Sequence, residues 1–167
     1  MSLFPADIEA LAKRIITDFT SLGHMLSTAE SCTGGLIAGA LTEIAGSSAV
    51  VDRGFVTYTN NAKMDVLGVA AVTLESFGAV SKETALQMAH GTLYRSRAQF
   101  SIAVTGIAGP GGGSPLKPVG LVHLAAKTRN GPALHREMRY GDIGRDQVRL
   151  STVKTALEML IELSQSV

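Results

Sequence analysis

Ser31, Cys32 and Thr33 stand between Glu30 and the glycine pair Gly34-Gly35, where an apolar run gives way to helical spacing. A hydroxyl or thiol at such a junction can attack an electrophile. The unpaired N–H groups of a helix start can hold an oxyanion or phosphate without a side-chain cation. Ser31 therefore has the strand-to-helix context of a nucleophile elbow, although the Gly-x-Ser-x-Gly pattern is missing. On spacing alone, Ser31 or Thr33 serves equally well as a helix N-cap. Cys32 is the rival nucleophile, but a lone cysteine is more often a small buried filler, and no cation lies close in sequence to lower its pKa.

A serine needs a base, and Lys63, Tyr58 and the histidines at 24, 90, 123 and 135 are available. Lys63 qualifies if burial brings its pKa from about 10.4 to roughly 7 or 8. By position alone it reads first as a solvated helix lysine, and Tyr58 as half-buried packing. The histidines read as structural or surface residues. A second constellation is the loop from Gly106 to Pro115, which matches neither the Walker pattern nor the dinucleotide fingerprint, so neither ATP nor NAD is implied. Placed directly after a strand, it can converge N–H groups on one phosphate or carboxylate, or act as a lid. Arg145 and Arg149, four apart at a helix start, are mutually unfavourable unless an anion binds between them or Asp142 and Asp146 balance them.

The elements that must position these residues follow from periodicity. Ile8, Leu11, Ile15, Phe19 and Leu22 mark an N-terminal amphipathic helix. His24 to Glu30 reads as a strand, Gly35 to Ala45 as a helix, and Gly54 to Thr59 as a strand with Tyr58 near its end. Asn60-Asn61 is expected to cap a short helix over 62–67, and Ser81 one running to about Arg97 with Leu86, Ala89 and Leu93 inward. Phe100 to Thr105 is a buried strand. Val119 to Thr128 and Leu134 to Tyr140 form an antiparallel hairpin turning at Asn130-Gly131. A last helix over 145–163 carries Val153, Ala156, Leu157 and Leu160 inward. The fold class expected is α/β, a three-layer α/β/α arrangement with a mixed parallel and antiparallel sheet.

With 167 residues, the chain is expected to form one domain over 1–167. Hydrophobic residues make up 46% and charged residues 17%, and no run of 18 apolar residues occurs, so no membrane span is expected. Charges at Asp7, Glu9, Lys13, Arg14 and Asp18 break any signal-peptide pattern, and a cytoplasmic location is the default. One cysteine permits no internal disulfide, and no histidine spacing marks a metal site. A net charge of +1, with no basic run interleaved with aromatics, argues against nucleic acid and leaves a small anionic ligand as the partner.

Ala29-Glu30-Ser31-Cys32-Thr33-Gly34-Gly35, Val56-Thr57-Tyr58-Thr59-Asn60 with Lys63, Gly78-Ala79-Val80-Ser81, Thr105-Gly106-Ile107-Ala108-Gly109-Pro110 and Lys117-Pro118-Val119-Gly120 together resemble the C-terminal domain family of the competence-damage-inducible protein CinA. The chain is similar to its standalone form, without the molybdopterin-binding-like domain often fused in front. The resemblance implies hydrolysis of the carboxamide of nicotinamide mononucleotide to nicotinic acid mononucleotide and ammonia, without a cofactor or metal. It also implies Ser31 as nucleophile, with Tyr58 and Lys63 as activating partners. The substrate-binding residues expected are Thr33, Gly34, Gly35, Thr105, Gly106, Gly109, Gly112, Arg145 and Arg149. Thr59 and Leu121 depart from the serine and threonine common in the family, which touches the pocket rather than the trio. Two rival functions are a catalytically silent nucleotide-binding module that regulates a partner, and a general amidase acting on non-nucleotide substrates. A homodimer is the default assembly expected of a compact α/β enzyme.

Overall fold

The computed structural model describes residues 1–167. In chain order its elements are α1 (Ala6–Leu22), β1 (Leu26–Glu30), α2 (Leu36–Thr42), a 3₁₀ turn (Ser47–Ala49), β2 (Val51–Val56), α3 (Asn60–Leu67), α4 (Ala71–Phe77), α5 (Lys82–Tyr94), β3 (Phe100–Gly106), β4 (Leu121–Thr128), β5 (Ala133–Arg139) and α6 (Arg145–Gln165). The sheet order is β2-β1-β3-β4-β5. β1 lies parallel to β2 and β3, whereas β3-β4 and β4-β5 are antiparallel. No helix is long and apolar enough to cross a membrane.

Strand alternation sorts the core into two layers. Phe100, Ile102 and Val104 of β3, with Leu26 of β1 and Val122, Leu124 and Ala126 of β4, pack on one face against apolar residues of α1, α2 and α6. The opposite face carries Ala29, Ala103 and Ala125, against which Met88 and Ala89 of α5 and Leu67 of α3 pack. Small residues there let α5 sit close to the strands, and Ser101 Oγ donates to the Ala89 carbonyl at 2.9 Å. Gly91 extends that closeness to α3, since a Cβ there would lie 1.9 Å from the Leu67 carbonyl oxygen.

The three parallel strands deliver their carboxyl ends to one edge of the sheet. Glu30 of β1 is in register with Val56 of β2 and Val104 of β3, so segments 31–35, 57–63 and 105–113 all emerge together. α2 leaves β1 toward one face, while α3 to α5 connect β2 to β3 across the other. The gap between β1 and β3 is thus a topological switch point, where ligands of open α/β sheets bind. Antiparallel pairing brings the start of β4 and the end of β5 to the same edge, with Leu121 opposite Arg139. α6 therefore begins there too.

Several local expectations are corrected. Thr59, not the asparagines, caps α3, its Oγ1 accepting from the Ala62 amide at 3.0 Å. β2 ends at Val56, so Tyr58 lies two residues beyond the strand. α4 has no counterpart in the periodicity reading: its seven residues bury only Thr73, too little to leave an amphipathic stripe. Leu22 is exposed and Leu86 only half-buried. Ser81 does cap α5, accepting from the Thr84 amide at 3.1 Å. Val153, Ala156, Leu157 and Leu160 of α6 are fully buried.

Candidate active site

Ser31 follows β1 directly, and its amide still belongs to the sheet, donating to the Val104 carbonyl at 3.1 Å. The chain then turns at once. The Gly34 amide donates to the Ser31 carbonyl and the Leu36 amide to the Thr33 carbonyl, both at 3.0 Å. Gly34 and Gly35 take φ values of 58° and 104°, a left-handed conformation that glycine adopts without steric cost. Neither Ser31 nor Thr33 is a helix cap: the N-cap of α2 is Gly35, without a side-chain bond.

The side chain facing Ser31 is Lys63. Its Nζ lies 2.9 Å from Ser31 Oγ, 2.8 Å from the Thr57 carbonyl oxygen and 3.2 Å from that of Tyr58. Lys63 is 1% exposed, so the solvated-lysine reading is corrected. Burial disfavours the ammonium and pulls its pKa from 10.5 down to about 8. A neutral amine has two N–H donors and one lone pair. The two carbonyls accept the donors, and the lone pair is left for the serine proton. α3 places Lys63 there because Thr59 starts the helix just beyond the β2 edge.

Tyr58 touches this pair through its main chain only. Its side chain is 57% exposed, and its hydroxyl accepts from Arg145 Nη2 at 3.0 Å. Arg145 also donates through Nη1 to the Gly109 carbonyl at 2.8 Å, spanning the cleft mouth between the Tyr58 segment and the glycine loop. Arg149, one turn on, points behind the nucleophile: Nε donates to the Cys32 carbonyl at 3.0 Å and Nη2 to that of Thr33 at 3.3 Å. The two arginines are thus neutralised neither by Asp142 nor by Asp146. They brace carbonyls instead.

Ser31, Lys63, Tyr58, Gly109, Gly112 and Arg145 line one cleft of about 260 Å³ together with Thr105 and Gly106. Thr33, Gly34, Gly35 and Arg149 do not line it. The first three belong to the turn that follows Ser31, which Arg149 braces through the Cys32 and Thr33 carbonyls. Thr105 Oγ1 donates to the Ala79 carbonyl at 2.8 Å and so fixes the far wall. At Gly106 a Cβ would come within 2.9 Å of the Leu121 carbonyl oxygen, so only glycine lets the loop leave β3 so close to β4.

Cys32 is buried, and burial pushes its thiol up to about 11, which removes the thiolate a cysteine nucleophile needs. His123 and His135 do not line the cleft; they stack on each other with Nδ1 and Nε2 2.9 Å apart, and burial lowers both pKa values. His90 is exposed.

The residue that sequence reasoning missed is Glu30. Its carboxylate accepts from the Ile37 amide at 2.9 Å and the Ala38 amide at 3.0 Å, so the first turn of α2 already holds an anion supplied by the chain itself. The expectation that this helix start stabilises an oxyanion is corrected accordingly. The amides of Cys32 and Thr33 donate to no protein acceptor. An acid between a buried strand and a Gly-Gly turn was the signal available.

Comparison with known proteins gives the context. The CinA C-terminal domain model matches residues 8–164. A protein of Escherichia coli named nicotinamide-nucleotide amidohydrolase PncC is 44% identical over 156 residues, 93% of each chain. A longer relative from Caldicellulosiruptor saccharolyticus, named a competence-damage inducible protein, is 43% identical over 158 residues, and there the chain spans 38% of the relative's length. A crystal structure of the competence/damage inducible protein CihA from Agrobacterium tumefaciens superposes with a TM-score of 0.97 at 79% identity, covering 98% of this chain and 99% of that one. Matched from the first helix through the last, and like these relatives across the whole sheet, the chain belongs to the CinA C-terminal domain family.

Proposed function

We propose that the protein hydrolyses the carboxamide of nicotinamide mononucleotide to nicotinic acid mononucleotide and ammonia, with Ser31 as nucleophile and Lys63 as its base. The observation that carries this reading is the 2.9 Å separation of Lys63 Nζ from Ser31 Oγ in a buried setting that favours the neutral amine. The substrate class is supported by relatives matched over most of their length that are named nicotinamide-nucleotide amidohydrolases. In the first step Lys63 takes the Ser31 proton as Oγ bonds to the carboxamide carbon. The free amide of Cys32, a residue that lines the cleft beside Ser31, is the donor nearest in the chain for the tetrahedral oxyanion, and a well-placed donor contributes about 3 to 4 kcal/mol in other enzymes. Collapse breaks the C–N bond while Lys63 passes its proton to the leaving nitrogen, releasing ammonia. Water then attacks the acyl-serine. Lys63 accepts its proton and returns it to Ser31 Oγ, and the nucleotide acid departs.

Arg145 and the glycine loop would hold the phosphate, since Arg145 lines the cleft and only two of its five guanidinium donors are engaged, by Tyr58 and Gly109. Binding energy at the phosphate positions the amide over Ser31. Arg149 stays behind the turn as a brace.

The test is direct. Purified protein is incubated with nicotinamide mononucleotide without added metal, and ammonia and nicotinic acid mononucleotide are measured. Product is expected from the wild type and from Cys32→Ala, and none from Ser31→Ala. Equal product from Ser31→Ala sinks the serine mechanism. Tight nucleotide binding without product supports the silent module instead.

A further inference from the structure

Glu30 makes no bond in the chemistry above, yet it immediately precedes Ser31 and is 1% exposed. No lysine or arginine pairs with its carboxylate. Its Oε1 accepts from the Ile37 amide at 2.9 Å and its Oε2 from the Ala38 amide at 3.0 Å, with Thr28 Oγ1 3.4 Å away. Its main chain reaches the other side of the site: the Glu30 carbonyl accepts from the Thr57 amide at 3.0 Å, and the Thr57 carbonyl is the closest acceptor of Lys63 Nζ. One residue thus ties the end of β1, the start of α2 and the segment that holds the base.

A cap alone contributes stability. The consequence here is narrower, because residues 31–35 form the whole connection between the two anchored ends. With Glu30 clamped to Ile37 and Ala38, that connection must close tightly. It does so through the Ser31–Gly34 and Thr33–Leu36 bonds and two left-handed glycines. Ser31 Oγ is thereby presented to Lys63. The carboxylate also satisfies the positive end of α2 internally, leaving the substrate phosphate to Arg145 across the cleft.

We propose that Glu30 is a positioning residue for amide hydrolysis, holding the Ser31 turn in register with Lys63 through its two bonds to the α2 amides. The proposal rests on the reading of Ser31 as nucleophile. Glu30→Gln keeps the size and one acceptor but leaves one α2 amide facing an NH₂ group. Ala38→Pro removes one of the two donors while keeping the carboxylate, at a first-turn position where proline's missing N–H breaks no intrahelical bond.

Steady-state kinetics on nicotinamide mononucleotide, run well below the thermal midpoint of each variant, separate positioning from stability. A misplacement near 1 Å costs about 100-fold, so kcat is expected to fall by about that factor in Glu30→Gln with KM unchanged. Ala38→Pro is expected to move the same way. A second readout avoids turnover: the rate at which phenylmethanesulfonyl fluoride labels Ser31, followed by mass, should fall in parallel. Wild-type kcat and labelling rate in folded Glu30→Gln, with only a lower thermal midpoint, overturn the proposal and leave a structural cap. If neither variant folds, Glu30 is a folding residue and the proposal is likewise overturned. Failure of the underlying reading looks different, since Ser31→Ala would then keep wild-type turnover.

Discussion

A lysine ammonium buried with no carboxylate beside it is unfavourable, and Lys63 is in that position. The same burial that destabilises its charged form makes it a base near neutral pH. Below about 8 the proton sits on Lys63 and blocks Ser31; above it the lone pair is free. The kcat/KM profile is therefore expected to rise about tenfold per pH unit on the acid side and to level near pH 8, measured with buffers of constant ionic strength. Stability follows with the sign reversed from that of a salt bridge. Between about pH 8 and the ordinary 10.5, the unfolded chain holds a proton that the folded one lacks. Lys63's contribution thus rises with pH across that window, as a denaturant series should record. Lys63→Ala should lower kcat by about 10²- to 10⁴-fold. Cys32→Ala should leave kcat near wild type, because a thiol pushed up to about 11 supplies no thiolate.

Two helices set this chemistry, and each depends on one small residue. Lys63 rides on α3, whose start is fixed by the Thr59 cap. Thr59→Ala should cost about 1 kcal/mol and loosen Lys63, seen as a lower thermal midpoint together with a reduced kcat. α5 reaches α3 only because Gly91 has no side chain. Gly91→Ala improves helix propensity but drives a Cβ into the Leu67 carbonyl, so it should destabilise by about 1–3 kcal/mol in denaturant unfolding. At this scale the sequence was legible wherever apolar spacing was strong, as in α1, α6 and the β4-β5 hairpin. It was not where tertiary contacts overrode local pattern. The Asn-Asn pair looked like a cap, but the Thr59 hydroxyl was the one in reach of the Ala62 amide. α4 was hidden because seven residues burying one threonine leave no period to detect.

Across the whole molecule, the cleft is assembled from residues far apart in sequence: Ser31 after β1, Lys63 after β2, the glycine loop after β3 and Arg145 at the start of α6. Arg145 meets Tyr58 across 87 positions. If it grips the phosphate, removing a charge-assisted bond of about 1.5–3 kcal/mol should raise KM for nicotinamide mononucleotide by roughly 10- to 100-fold in Arg145→Ala, while the KM for nicotinamide riboside, which lacks the phosphate, stays unchanged. Equal effects on both would favour the general amidase. The sequence by itself determined the α/β class, the helix and strand periods and the residue types able to attack an amide, because those follow from local spacing and side-chain chemistry. Tertiary structure alone decided that Lys63 is buried against Ser31, that Tyr58 serves the pair through its carbonyl, and that Arg149 braces while Arg145 faces the cleft. It alone also decided that Glu30 fills the helix start. Burial, direction and hydrogen-bond partners come from segments that meet only when three parallel strands end at one edge, and no local window of sequence contains that meeting.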